Sequence, residues 1–217
     1  MKMPIASKSM RMTVIMVTTL AIGVLIGHFV HPRELMRPRN PEHASRVALF
    51  NALPGHADIV MLGDSITARG DWRELLPTMS VINRGVDGDM SKDVVSRLGE
   101  VIARSPNIVF IMIGINDILL GIDHRITLTN IETIGANLEK AGAKPVIQSV
   151  LLVEGNNTIN AKVAALNLTL SKVGREFLDL NPVIASSPGY TWDSLHLTGV
   201  AYLRWRDAVL SYLDKHH

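Results

Sequence analysis

Apolar positions fall along this chain as one long uninterrupted run, followed by short runs that alternate with helically spaced stripes. The long run comes first: no side chain from Met12 to Gly27 is formally charged, and with His28 tolerated the stretch reaches Val30. A helix rises about 1.5 Å per residue and a bilayer core is about 30 Å thick, so residues 12–30 just span it. Short apolar runs at 58–62, 80–82, 107–113, 144–152 and 176–180 then read as strands. The run at 107–113 is continuous and β-branched, as in a strand buried on both faces. Between Ser91 and Ala103, the residues Val94, Val95, Leu98, Val101 and Ile102 recur at helical spacing, with Ser91 as N-cap. Further helices are expected at 125–141, 158–174 and 198–213. The alternation predicts an α/β protein: a three-layer α/β/α sandwich around a mostly parallel five-stranded sheet, preceded by an N-terminal hydrophobic helix. In such sheets functional residues gather at the carboxyl ends of the strands.

The same pattern divides the chain into a basic segment at 1–11, the apolar run at 12–30, a linker at 31–56 and a main domain at 57–217. The linker carries Pro32, Pro38, Pro41 and Pro54 and leaves room for a short helix around 43–53. The apolar run is read as a membrane anchor that holds the main domain outside the cytoplasm. Lys2, Lys8 and Arg11 also suit the basic start of a cleaved signal peptide, which makes secretion the alternative, but no small-x-small cleavage site follows. Arg33, Arg37 and Arg39 nearly balance the charge on the near side.

Charge narrows the functional classes. The formal net charge is +2, but residues 1–40 hold six Lys/Arg against one acid, and the rest holds 16 against 19. The basicity belongs to the arm, so a nucleic-acid role for the main domain gains no support. With no cysteine, disulfides, thiolate catalysis and Cys-ligated metals are excluded.

Candidate chemistry sits where strands end. Gly63-Asp64-Ser65 presents a serine after the first strand, at a helix start that favours developing negative charge, although a helix cap explains most such triplets. Asp193 and His196 stand three residues apart before the last helix, close enough for one turn to supply an imidazole and the carboxylate that orients it. Gly85 and Asn116 place a backbone N–H and a side-chain amide at the same edge, donors of the kind a tetrahedral acyl-transfer intermediate needs. Each alone fits a turn glycine or loop cap.

In order and spacing, these four blocks resemble the SGNH, or GDSL-type, hydrolase superfamily. The matching stretches are Val60-Met61-Leu62-Gly63-Asp64-Ser65-Ile66-Thr67, Asn83-Arg84-Gly85, Gly114-Ile115-Asn116-Asp117 and Asp193-Ser194-Leu195-His196-Leu197, within a likeness that covers roughly 57–213. In particular the chain resembles the small single-domain branch related to platelet-activating-factor acetylhydrolase catalytic subunits and bacterial acetylesterases. Ile66 replaces the family's leucine, and Ala201-Tyr202 its common Gly-Tyr; neither change removes a reactive group.

The resemblance implies a flavodoxin-like SGNH fold and a serine esterase. Ser65 would be the nucleophile, His196 its base and Asp193 the orienting acid. The N–H groups of Ser65 and Gly85 and the Asn116 amide would form the oxyanion hole. No cofactor or metal is implied. The expected substrate is an acyl ester of a glycan or lipid, with small acyl groups, acetyl among them, removed. A lysophospholipase or thioesterase-type lipase, an acyltransferase using the same serine, and a membrane-anchored binding domain are the alternatives; oligomeric state is left open. A metal-dependent phosphoesterase would need closer ligand sets, such as an Asp-x-His pair on the first strand, which the sequence lacks. Trp72, Ile118, Leu119 and Trp192 flank the blocks and are candidates for a substrate pocket, with core packing as the competing reading. Asp64 and Asp117 are expected to brace their turns. Asn156 and Asn167 fit a short glycosylation pattern.

Overall fold

The computed structural model describes residues 41–53 and 55–216. The basic segment, the apolar run and the first part of the linker lie outside them. The chain order is α1 (Pro41–Ala52), β1 (Ile59–Gly63), α2 (Ser65–Ala68), α3 (Trp72–Leu75), β2 (Val81–Gly85), α4 (Ser91–Ile102) and β3 (Ile108–Met112). It continues with α5 (Ile115–Leu120), α6 (His124–Lys140), β4 (Lys144–Gln148), α7 (Asn157–Leu170), β5 (Glu176–Leu178), α8 (Asn181–Ile184) and α9 (Gly199–His216).

The five strands are all parallel and ordered β2-β1-β3-β4-β5, the flavodoxin-like order in which ligands sit outside the strands' carboxyl ends at the β1/β3 switch point. Gly63 pairs with Gly85 on one side and with Met112 on the other, so β1, β2 and β3 end level. Everything that follows these residues is therefore delivered to one edge.

Both faces are covered, which is why β1 is buried along its whole length. On one face α4 packs against α1 and α6, and α6 against α7. Val94, Leu98 and Val101 form the buried stripe of α4. On the other face α9 supplies Trp205, whose ring meets Trp72 edge to face at 4.7 Å, and Tyr212, which meets Phe110 likewise at 5.6 Å.

Three boundaries differ from the periodicity. The run at 144–152 stops being strand at Gln148, although Val150, Leu151 and Val153 are buried. Beyond it, side-chain amides replace a neighbouring strand: Asn167 takes the N–H and carbonyl of Val150, Asn181 the N–H of Leu152 and Asn160 the N–H of Val153. Asn167 is thus committed to the fold at both polar atoms rather than offered for glycosylation, and Asn156 caps α7 through Ile159 N–H. Strand β2 extends through the polar Asn83 and Arg84 to Gly85. Ser91 lies inside α4 rather than capping it, because its N–H and hydroxyl are both held by Asp117.

The second half of the expected linker is part of the folded unit. Helix α1 puts the Phe50 ring beneath the Arg84 guanidinium at 4.3 Å, and Arg104 donates to the Phe50 carbonyl. Among the described residues, no helix is long and apolar enough to cross a membrane.

Candidate active site

The nucleophile turn is built from backbone demands. At Gly63 any Cβ would collide with the Met112 carbonyl and the Thr67 hydroxyl, each 2.3 Å away. Asp64 then caps α2, its Oδ1 accepting from Ile66 N–H at 2.9 Å. Asp64 is fully buried, and desolvation drives its pKa up to about 7, against the Ile66 hydrogen bond and with help from Asp89, Asp117 and Asp87 nearby. Its role is bracing, as the sequence suggested. Ser65 stands at the first position of α2, where a backbone N–H has no intrahelical acceptor.

The loop before α9 brings the base. Ser65 Oγ lies 2.9 Å from His196 Nε2, and His196 Nδ1 lies 2.6 Å from Asp193 Oδ2. The second carboxylate oxygen of Asp193 accepts from the N–H groups of His196 and Leu195. Burial pulls the Asp193 pKa upward, but these bonds from His196 and Leu195 outweigh it and hold it at about 2. Asp193 is an anion at any pH at which an ester is assayed, and it fixes the imidazole with Nδ1 protonated and Nε2 facing the serine.

The turn that presents this pair is itself strained, with Ser194 at φ 73°. Glu154 holds it, a residue the sequence reading missed. Its carboxylate accepts from the N–H groups of Gly189 and Thr191 and from the Thr191 hydroxyl, and its own N–H donates to the Ser194 carbonyl. Those bonds, the Thr191 hydroxyl foremost, lower its pKa. Nothing in local spacing marks Glu154, because its partners lie some 35 residues on.

Asn116 is placed as expected, in the first turn of α5 after β3. Its Nδ2 donates one hydrogen to the Asp89 carbonyl at 2.9 Å, which orients the amide and leaves a second hydrogen to donate. Asp117 shapes the same loop by accepting from Ser91 and Thr127; burial raises its pKa against those bonds.

Gly85 departs from its expected role. Its N–H is donated to Asn83 Oδ1 at 2.8 Å, and a Cβ on it would lie 2.2 Å from the Ala68 nitrogen. Gly85 therefore serves the close approach of β2 to α2. Asn83 completes that clamp by donating to the carbonyls of Thr67, Ala68 and Gly70. The chain continues into the turn Val86–Asp89, with Gly88 at φ 76°, and this turn reaches Asn116 through the Asp89 carbonyl. Gly88-Asp89 repeats the Gly63-Asp64 pair, a signal present in the sequence but passed over.

Of the candidate pocket residues, Trp72 and Ile118 belong to the interior. Trp72 is 1% exposed, packs on Trp205 and Tyr202, and donates from its indole N–H to the Thr67 carbonyl; Ile118 is 9% exposed. Trp192 and Leu119 are accessible, at 65% and 41%, and the Trp192 ring stacks on the His196 imidazole at 5.7 Å.

A serine, an imidazole and a carboxylate in hydrogen-bonded series at the carboxyl edge of a parallel sheet define a serine hydrolase. Residues 61–204 match the family model described as GDSL-like lipase/acylhydrolase, and the chain belongs to that family. It is an ester-hydrolysing enzyme of the serine type.

Solved structures share the fold at low identity. A GDSL-like lipase from Bacteroides thetaiotaomicron is similar with a TM-score of 0.69 at 22% identity, over 81% of this chain and 97% of that one. An acetylxylan esterase from Geobacillus stearothermophilus is similar with a TM-score of 0.62 at 19% identity, over 73% and 94% of the two chains. The esterase EstA from a Pseudoalteromonas species gives 0.61 at 19% identity, over 72% and 98%. No functionally curated protein matches the chain.

Proposed function

We propose that the protein is a carboxylester hydrolase that removes small acyl groups, acetyl foremost, from a glycan or lipid through an acyl-Ser65 intermediate. The continuous line from Ser65 Oγ through His196 to Asp193 carries this reading. Ser65 attacks the ester carbonyl as His196 Nε2 takes its proton; the imidazolium, stabilised by Asp193, then protonates the leaving alkoxide. Water, deprotonated by the same nitrogen, attacks the acyl-enzyme and releases the acid. We assign oxyanion binding to Ser65 N–H, the free hydrogen of Asn116 Nδ2 and the backbone of the turn Val86–Asp89, in place of Gly85.

The exposed Trp192 beside His196 offers a flat apolar surface next to the group that protonates the leaving alkoxide, of the kind on which a sugar ring lies. The similar acetylxylan esterase supports a glycan acceptor. The apolar run at 12–30 supports a place at a membrane, with the catalytic domain outside the cytoplasm.

An ester panel from acetyl to long acyl chains, on glycan and lysolipid acceptors, tests this. Wild type should turn over acetyl esters fastest, and Ser65→Ala should lose on the order of 10⁴-fold or more in kcat. A phosphonate should label Ser65. A long-chain optimum overturns the acyl assignment, and transfer to added glycan in place of acid release overturns hydrolysis.

A further inference from the structure

Helix α1 precedes the matched residues 61–204, yet it grips the parts of the site that carry the oxyanion donors. Its last turn meets the amino-terminal edge of the sheet through Phe50 and Arg104, and its first turn reaches the catalytic edge. There His43 Nε2 lies 2.9 Å from Asp89 Oδ1, a close polar contact not aligned as a hydrogen bond, with the Asp89 side chain wholly buried. Arg97 Nε donates to the other oxygen, Oδ2, at 2.7 Å. One turn along α1, Arg46 Nε donates to the Gly85 carbonyl at 2.9 Å.

These contacts fall on the two ends of one turn. The peptide joining Gly85 and Val86 is fixed from both sides, because its carbonyl accepts from Arg46 and its N–H donates to the Gly63 carbonyl. At the other end Asp89 is held by His43 and Arg97, and its carbonyl orients the Asn116 amide. A buried carboxylate stripped of one partner must move toward another or toward water. Any such movement of Asp89 shifts Asn116, and catalytic donors lose effect steeply with displacement.

We propose that α1 is a positioning element of the active site, with His43 and Arg46 as positioning residues that set the turn Val86–Asp89 and, through the Asp89 carbonyl, the Asn116 amide. This rests on the assignment of Asn116 as an oxyanion donor. The five strands and the line from Ser65 through His196 to Asp193 take no residue from α1, whereas both ends of the turn Val86–Asp89 are in contact with it. The arrangement makes the helix Pro41–Ala52 part of what positions the site.

The test uses the full chain and a soluble acetyl ester. His43→Ala and Arg46→Ala should each lower kcat about tenfold with KM changed less than twofold, the split expected when a transition-state contact is loosened. Arg46→Lys, which retains a donor, should recover part of the loss. In an Asn116→Ala background, His43→Ala should cost clearly less than it does in the wild type, because part of its effect runs through the donor already removed. Wild-type kcat in both α1 variants overturns the proposal, as does an undiminished His43 effect in the Asn116→Ala background. If Asn116→Ala alone leaves kcat unchanged, the oxyanion assignment falls and takes the proposal with it. A lowered melting temperature with kcat intact assigns α1 to stability alone and overturns it too.

Discussion

Asp64 ties the folding stability of this enzyme to pH with a sign opposite to that of most carboxylates. Its pKa stands near 7 in the folded chain against an ordinary value of 3.8, because burial disfavours the anion. The folded state therefore binds the proton more tightly. Its stabilising effect is complete below 3.8 and is lost as pH rises through 7. Asp64→Asn keeps an oxygen for the Ile66 N–H and removes the titration. Urea unfolding at pH 4 and pH 8 should show the variant gaining on wild type between the two, by up to about 4 kcal/mol; equal differences at both pH values would refute the assignment. Residue identities of this kind were only partly legible in the sequence. Ser65, Asn116, Asp193 and His196 stand in short ordered blocks, and the structure brings Ser65, Asp193 and His196 into hydrogen-bonded line and sets Asn116 on the turn that follows Gly85. Gly85 and Trp72 misled because a glycine at a strand end and a tryptophan after a nucleophile turn look alike whether they face the cleft or the interior. Only the partner of the Gly85 N–H and the burial of Trp72 separate the two.

Element boundaries depend on what satisfies the backbone, and composition does not report this. The run at 144–152 is apolar throughout its second half, yet its strand ends at Gln148, because asparagines from α7 and α8 occupy the N–H and carbonyl groups that a ladder would need. Periodicity placed α4, α6, α7 and α9 within a few residues, since each buries one stripe on the sheet or on a neighbouring helix. The bracing of the turn Gly189–Ser194 by Glu154 was not legible, being made of contacts remote in sequence. Glu154→Gln exchanges one acceptor oxygen for donors that face the N–H groups of Gly189 and Thr191. It should lower kcat on the order of 10- to 100-fold while the serine remains labelled by a phosphonate, slowly. An unchanged kcat would show that the strained Ser194 turn holds its shape unaided. Because the Glu154 pKa is lowered, the loop's support is fully present above the ordinary range of a glutamate and is lost only as pH falls below that range, through the lowered pKa.

At the scale of the molecule, three tryptophans occupy unlike surroundings. Trp72 and Trp205 are sealed between the sheet and α9, while Trp192 is 65% exposed and stacked on the catalytic imidazole. The protein thus carries an optical reporter of His196. Indole emission from a water-exposed ring is red-shifted and open to acrylamide, and it responds to changes at a ring stacked on it. The acrylamide-sensitive part of the emission should change when a phosphonate binds Ser65 and breaks its hydrogen bond to His196. Trp192→Phe should abolish that signal and leave the buried pair glowing. Emission that ignores the phosphonate in the wild type would mean that the two rings part in solution. Formation of an acyl-enzyme, which displaces the serine hydroxyl from His196, would be visible through the same ring without any added dye.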